Sequence, residues 1–125
     1  MTPIAQQRAD LIQKLHDQAA KAQALLDEIR SGATPDAFII TNTGPVYLRF
    51  RQENGKTIPS TAAALYADRF ATREEADALA VQCRNGADTV ATSVALSLAL
   101  DEQIASNRNL VAALEEAAAH DNQNA

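Results

Sequence analysis

Aromatic residues, tryptophan above all, are scarce in this sequence, and it has no long apolar run. Only 4% of its 125 residues are aromatic and none is tryptophan. A core must therefore be built from Leu, Ile, Val and Ala in close helix contacts. The longest weakly polar run, residues 90–100, contains three hydroxyl side chains and is far shorter than the roughly 20 residues that cross a bilayer. We predict no membrane span.

Cysteine is almost absent. Cys83 is the single one, which excludes an internal disulfide and a paired-cysteine metal or redox site. We interpret it as a small buried apolar residue. The first residues lack the basic flank and apolar stretch of a secretion signal. We expect a cytoplasmic protein with no cofactor.

Catalytic motifs are also missing. The glycines lie singly in separate turns, so no phosphate-binding loop is formed: Gly32, Gly44, Gly55 and Gly86. His16 and His120 have neither a nucleophile nor a second metal ligand at a useful spacing. Adjacent carboxylates such as Glu115 and Glu116 point about 100° apart on a helix. The sequence predicts a protein that is not an enzyme and holds no metal.

Length and charge limit the remaining classes. A chain of 125 residues predicts one domain, 1–125. The net charge of −5 argues against direct nucleic-acid binding. The charge is uneven: residues 37–73 carry a balance of +3, and the rest of the chain carries −8. The middle is basic and both flanks are acidic.

The first 31 residues predict a long helix. Thr2 is a capping residue, Pro3 suits the first helical position, and Gly32 follows Ser31 at the end. Two seven-residue series form a heptad seam: Ala5, Ile12, Ala19 and Leu26, with Arg8, Leu15, Ala22 and Ile29. The predicted helix is about 43 Å long, which is more than the diameter of the small domain that follows. Its seam has two alternative partners, the C-terminal helix or a second subunit in a homodimer.

After this helix the spacing of the apolar residues changes from the helical period of 3.6 residues to the strand period of 2. Residues 37–41 and 46–51 predict strands joined by a turn, and Asn54-Gly55 predicts a tight hairpin. Residues 56–58 return as an edge strand that Pro59 ends. Ser60 would cap a helical turn that continues to residue 67. The result is a three-stranded antiparallel meander.

A capped helix follows the meander. Thr72 and Glu75 have capping-box spacing. The apolar stripe consists of Ala76, Leu79, Ala80 and Cys83, while Arg73, Glu74, Asp77 and Gln82 face away. Asn85-Gly86 predicts its end.

The stretch from residue 89 to residue 100 alternates small and apolar residues, which suits a strand or an Ala/Leu-rich helix. We favour a strand over 89–95 and a helix over 98–119, with a frayed tail over 120–125. The helix carries a second seam: Leu100, Ile104, Asn107, Val111, Leu114 and Ala118. Asn107 either fixes register across a helix interface or marks solvent, and the second is commoner. The fold class is α+β, with a core over 37–95 between two long helices.

The candidate binding site is one face of the central strand. Tyr47, Arg49 and Arg51 would project together there, joined by Lys56 or Arg69. Arginine forks suit carboxylate or phosphate, and tyrosine offers a stacking surface. The alternative is that these side chains only solvate the exposed face of a sheet.

Three segments resemble small accessory proteins of bacteriophages and prophages: Val-Tyr-Leu-Arg-Phe at 46–50, Asp-Arg-Phe-Ala-Thr-Arg-Glu-Glu-Ala at 68–76, and Glu-Gln-Ile-Ala-Ser-Asn-Arg-Asn-Leu-Val-Ala-Ala-Leu at 102–114. Such proteins place a strand before an Arg-Phe-x-Thr-x-Glu-Glu-Ala helix. The resemblance covers roughly residues 38–115. It implies a phage-derived protein in a bacterial cytoplasm that acts by binding, as inhibitors of CRISPR and other defence complexes do.

The leading hypothesis is an interaction protein that binds a bacterial host protein or nucleoprotein complex and inhibits or redirects it. Either the acidic flanks enter a basic channel of the target, or the arginine face docks on an acidic surface. Two alternatives stay open, a module that binds a nucleotide or another phosphorylated ligand and a structural homo-oligomer.

Overall fold

The computed structural model describes residues 2–42, 46–83 and 91–123, with the backbone alone for 83, 122 and 123. The elements are helices α1 (Pro3–Ser31), α2 (Arg73–Cys83) and α3 (Leu96–Gln123), strands β1 (Phe38–Thr41), β2 (Tyr47–Glu53), β3 (Lys56–Ala62) and β4 (Thr92–Ala95), and a 3-10 turn (Ala64–Tyr66). All strand pairs are antiparallel, in the order β3-β2-β1-β4. The predicted α+β class is confirmed, and the separately predicted fourth strand pairs with β1 at the edge of the three-stranded meander.

Helices cover both faces of this sheet. On one face, α1, α3 and the 3-10 turn bury a core against β1 and β2 that includes Leu26, Ile39, Tyr47 and Leu100. On the other face, Ala76 and Ala80 of α2 pack on Ile40 and Leu48. Because the buried side chains of α2 are alanines, the helix lies close to the strands. The helical pair, the sheet and α2 form three layers.

The caps explain where the helices begin. Thr72 Oγ1 accepts the Glu75 backbone N–H at 3.2 Å, as the capping spacing predicted. The Glu75 carboxylate accepts from the Thr72 hydroxyl at 3.2 Å, and not from the Thr72 backbone N–H as in a complete capping box. At the start of α3, Asp36 accepts the Ser97 backbone N–H at 3.1 Å and its hydroxyl at 2.6 Å. The β1 ladder continues into α3, since the Leu96 N–H donates to the Ala37 carbonyl. Helix α3 therefore begins two residues before the predicted Leu98.

The β2–β3 hairpin is longer than predicted. Asn54 and Gly55 have φ values of 53° and 76°, a type I′ turn, as the Asn-Gly pair indicated. Strand β3 does not end at Pro59, which pairs with Phe50. The Phe50 N–H donates to Asp68, away from β3, so this pair exchanges no ladder hydrogen bonds and the missing proline N–H points outward. An edge strand tolerates proline in that position.

Four smaller expectations also change. Ser60 caps no helix; it lies in β3 and its hydroxyl donates to the Arg49 carbonyl at 3.2 Å. Arg73 does not simply turn away, because its guanidinium lies 4.8 Å from the centroid of the Phe38 ring. The tail expected from His120 is helical to Gln123. The strand predicted over 89–95 is observed over Thr92–Ala95. The turn at 43–45, the helix end at Asn85-Gly86, residues 89–90 and the Cys83 side chain lie outside the described part.

Candidate binding surface

The far end of the β2–β3 hairpin extends past the helices. We call residues 49–61 the outer hairpin. Within it only Phe50 and Ile58 are half-buried, and the other residues are exposed. Helices α1 and α3 cover β2 at Tyr47, whereas Arg49 and Arg51 lie about 7 and 13 Å further along the strand. The outer hairpin is thus the part of the sheet that its own helices leave accessible.

Basic side chains dominate one face of the outer hairpin. The register pairs Arg49 with Ser60, Arg51 with Ile58 and Glu53 with Lys56, and paired residues share a face. The Arg51 Nη2 lies 3.4 Å from Glu53 Oε2, and both side chains are more than half exposed. An exposed ion pair of this kind contributes little to folding stability, and it leaves most N–H donors of the Arg51 guanidinium accessible.

Tyr47 does not belong to this surface, contrary to the sequence prediction. Only 1% of it is exposed. Its hydroxyl lies 3.3 Å from the Ala99 carbonyl and 3.5 Å from Glu102 Oε2. Burial, followed by the nearby Glu102 carboxylate, raises the pKa of Tyr47 from 10.0 to about 12. The consecutive apolar residues at 46–48 are the missed signal, because such runs are typical of strands covered on both faces.

Arg69 lies outside the hairpin. It is exposed, and its Nη2 donates to the Leu65 carbonyl at 3.4 Å. Its neighbour Asp68 joins this segment to β2, because the carboxylate accepts the Phe50 N–H at 2.7 Å. The Asp68 N–H donates to the Leu48 carbonyl at 3.3 Å. The two contacts place the 68–70 segment along the side of β2 that β1 leaves unpaired.

A groove of about 580 Å³ lies between α2 and the other face of the outer hairpin. Phe50, Pro59 and Leu79 give it an apolar lining, and its polar members are Lys56, Thr57 and Gln82, with Gly55 completing the described lining. The groove was not predicted from the sequence. The residue that could have indicated the groove is Pro59, which lies within β3 and forms part of one wall.

The predicted seam residues lie between α1 and α3 of one chain. The buried members are Ala22, Leu26, Ile104, Asn107 and Val111, and the half-buried ones are Ile12, Leu15, Ala19, Ile29 and Leu114. Ion pairs flank the seam at Arg8–Asp121 (2.7 Å) and Arg30–Asp101 (2.8 Å). The partner of the N-terminal helix is therefore the chain's own C-terminal helix.

Asn107 does not mark solvent, so the commoner of its two interpretations is wrong. It is 3% exposed and bridges the helices. Its Nδ2 donates to Gln18 Oε1 at 2.9 Å and to the Leu15 carbonyl at 3.2 Å, while its Oδ1 accepts from Gln103. Gln103 in turn accepts the Ala64 N–H at 3.3 Å. The network fixes the register of α1, α3 and the 3-10 turn.

Within residues 2–42, 46–83 and 91–123, no group of three His, Cys, Asp or Glu side chains could hold a metal ion. No helix in those same ranges has the length and hydropathy to cross a membrane. His16 is exposed on α1.

In comparisons with known proteins, no protein-family model matches the chain, and no curated protein or solved structure is found to be similar.

Proposed function

We propose that this protein is a non-enzymatic interaction protein that docks through the outer hairpin on an acidic surface of a protein partner. The observation that supports this most is the position of Arg49, Arg51 and Lys56, exposed on a hairpin that extends beyond the covered sheet. The hairpin is held at its base by the Asp68 carboxylate and by the full β2–β3 register. Because the outer hairpin is anchored in this way, its backbone loses little conformational entropy when a partner binds.

The charges of the outer hairpin favour a carboxylate-bearing partner. Arg49, Arg51 and Lys56 outnumber Glu53, the one acidic residue of the outer hairpin. Guanidinium forks bind carboxylates through two parallel hydrogen bonds. Exposed charges of this kind raise association rates and select against partners of the same sign. The acidic remainder of the chain would repel such a partner from other orientations.

The biological setting of the proposal comes from the resemblance to phage accessory proteins. In that setting the partner is a bacterial host protein or nucleoprotein complex, such as a defence complex, in the bacterial cytoplasm. Binding would inhibit or redirect the host factor by covering a functional surface.

The burial of Tyr47 disfavours the nucleotide-binding alternative, since the aromatic platform expected beside the arginines packs under α3 instead. The homo-oligomer alternative loses the feature on which it was based, because the heptad seams of α1 and α3 pack on each other. The acidic-flank mechanism keeps exposed candidates in Glu115 and Glu116.

The test is an affinity capture from bacterial lysate with the intact chain, followed by measured affinity for the protein retained in stoichiometric amount. Arg49→Glu/Arg51→Glu is expected to lose that partner. Lys14→Glu/Lys21→Glu is the matched control, because both sites are exposed on α1 and the change in net charge is the same. It is expected to retain the partner.

Retention by the arginine double variant would contradict the proposal. Equal loss of the partner in these two double variants would show that net charge, and not the outer hairpin, determines binding. Loss in Glu115→Lys/Glu116→Lys alone would favour the acidic-flank mechanism. Circular dichroism of each variant establishes that the fold is unchanged.

A further inference from the structure

The groove behind the outer hairpin has the features of a side-chain pocket. Phe50, Pro59 and Leu79 line it, and Phe50 and Leu79 are only half-buried although both pack on the core of α2. Its volume of about 580 Å³ lies within the range of small-ligand sites in proteins. Helix α2 packs on β1 and β4, so the hairpin beside it is left uncovered on this face.

Charge selects among the occupants of the groove. Lys56 is the one charged residue among its described lining, and Thr57 and Gln82 add neutral hydrogen-bonding groups. By the β2–β3 register Lys56 lies on the face of Arg49 and Arg51, and it reaches the groove at the turn, next to Gly55. An apolar group that enters the groove therefore gains most when a carboxylate lies next to it.

We propose that this groove takes an apolar side chain of an acidic protein segment, with Lys56 binding a carboxylate beside it. This inference rests on the proposed function and specifies its partner: the segment crosses the hairpin turn, with its apolar anchor in the groove on one face and further carboxylates at Arg49 and Arg51 on the other. The groove supplies the selectivity that exposed arginines alone lack, since an acidic surface without an apolar anchor fills only half of the site.

The experiment is a titration of the full ¹⁵N-labelled chain with the peptide acetyl-Glu-Leu-Glu-Phe-Glu-amide, followed by amide chemical shifts. The expected result is saturable shifts at Gly55, Thr57, Leu79 and Gln82, with affinity in the millimolar range. The basic peptide acetyl-Lys-Leu-Lys-Phe-Lys-amide is expected to leave these amides unshifted. Lys56→Glu is expected to weaken the acidic peptide about fivefold.

Gln82→Trp fills the groove from an exposed position on α2, and it is expected to abolish the shifts. Val81→Trp is its matched control, since Val81 is exposed on the neighbouring face of the same helix. It should bind the peptide like the wild type. Equal response to both peptides, shifts confined to other regions, or no saturable shift in the wild type would overturn the inference.

The peptide titration uses no host protein, so it reports on the groove alone. Peptide binding together with unchanged host capture by Arg49→Glu/Arg51→Glu would contradict the proposed function and leave the groove as a peptide site. Loss of host capture in that variant, with no peptide binding by the wild type, would support the proposed function and contradict the groove as a peptide site.

Discussion

Asn107 of α3 donates a 3.2 Å hydrogen bond to the backbone carbonyl of Leu15 on α1, in the middle of a mostly apolar seam. The same amide bonds Gln18 and Gln103, so its donor and acceptor sides are both used. Apolar seams tolerate sliding by a heptad, and a polar residue that finds its partners in one register alone prevents this. The helical pair is thereby fixed relative to the 3-10 turn and the sheet.

Asn107→Ala is expected to lower the free energy of unfolding by about 1 to 3 kcal/mol, because it leaves the buried amide of Gln103 without its acceptor. Urea denaturation measures the change. A double-mutant cycle with Gln103→Ala should give a coupling of about 0.5 kcal/mol or more. Asn109→Ala, at an exposed site two residues further along α3, is the control and should change stability by less than about 0.5 kcal/mol. Additive effects at Asn107 and Gln103 would contradict the network.

Asp36→Ala is expected to destabilise the protein by about 0.5 to 2 kcal/mol, because Asp36 supplies the cap of α3 from outside the helix. Thermal denaturation followed by circular dichroism measures it. Asp36→Asn should recover most of the loss, since its side-chain oxygen also accepts the Ser97 N–H. If the asparagine variant were as unstable as the alanine variant, the charge rather than the cap would be responsible.

Tyr47 makes stability depend on alkaline pH. Its pKa is raised by burial and by Glu102 from 10.0 to about 12, so the folded state holds the proton more tightly than the unfolded state. The resulting stabilisation, about 2 to 3 kcal/mol, is complete below pH 10 and is lost as the pH rises toward 12. Denaturation at a series of pH values checks this. Tyr47→Phe should remove the dependence and Tyr66→Phe, at an exposed site, should keep it.

Pro59 protects the outer edge of the sheet. The register places the outward N–H groups of β3 at Thr57 and Thr61, and proline occupies the position between them. Pro59→Thr restores a continuous row of donors, and we expect increased self-association relative to the wild type, measured by analytical ultracentrifugation. Thr61→Val keeps its backbone donor and should behave as the wild type does. An unchanged mass for Pro59→Thr over the full concentration range would show that the proline does not guard this edge.

Local signals in the sequence predicted the features that depend on neighbouring residues alone, namely the helix starts and the hairpin turn. Thr2 and Pro3 mark the start of α1, Asn54-Gly55 marks the hairpin, and Thr72 with Glu75 marks α2. What failed depends on contacts between distant residues. The Tyr47 side chain is buried because α3 lies over it, and Asn107 is buried because Leu15 and Gln18 lie opposite. Alternation along β2 places Tyr47 and Arg49 on the same face, so the two-residue period does not separate the covered part from the accessible part, and the apolar run at 46–48 is the only local signal that does.

The candidate surface was half predictable for the same reason. The exposed arginines follow from the strand period, whereas the groove needs α2 to stand beside β3, elements that are separated by the 3-10 turn and the 68–70 segment. At Pro59 a local signal predicts the wrong outcome: proline indicates the end of the strand, and the hydrogen bond from Phe50 to Asp68 explains why β3 continues past it.

The pairing of α1 with α3 has a consequence for how the chain folds. Helix α1 precedes the whole sheet, and the helix that covers its seam is the final described element. During synthesis the Leu and Ile stripe of α1 stays uncovered until α3 is made, and joining the two helices closes a loop that contains all four described strands. Contacts of such large sequence separation slow folding. We therefore expect the sheet with α2 to form first and the helical pair to close over it last.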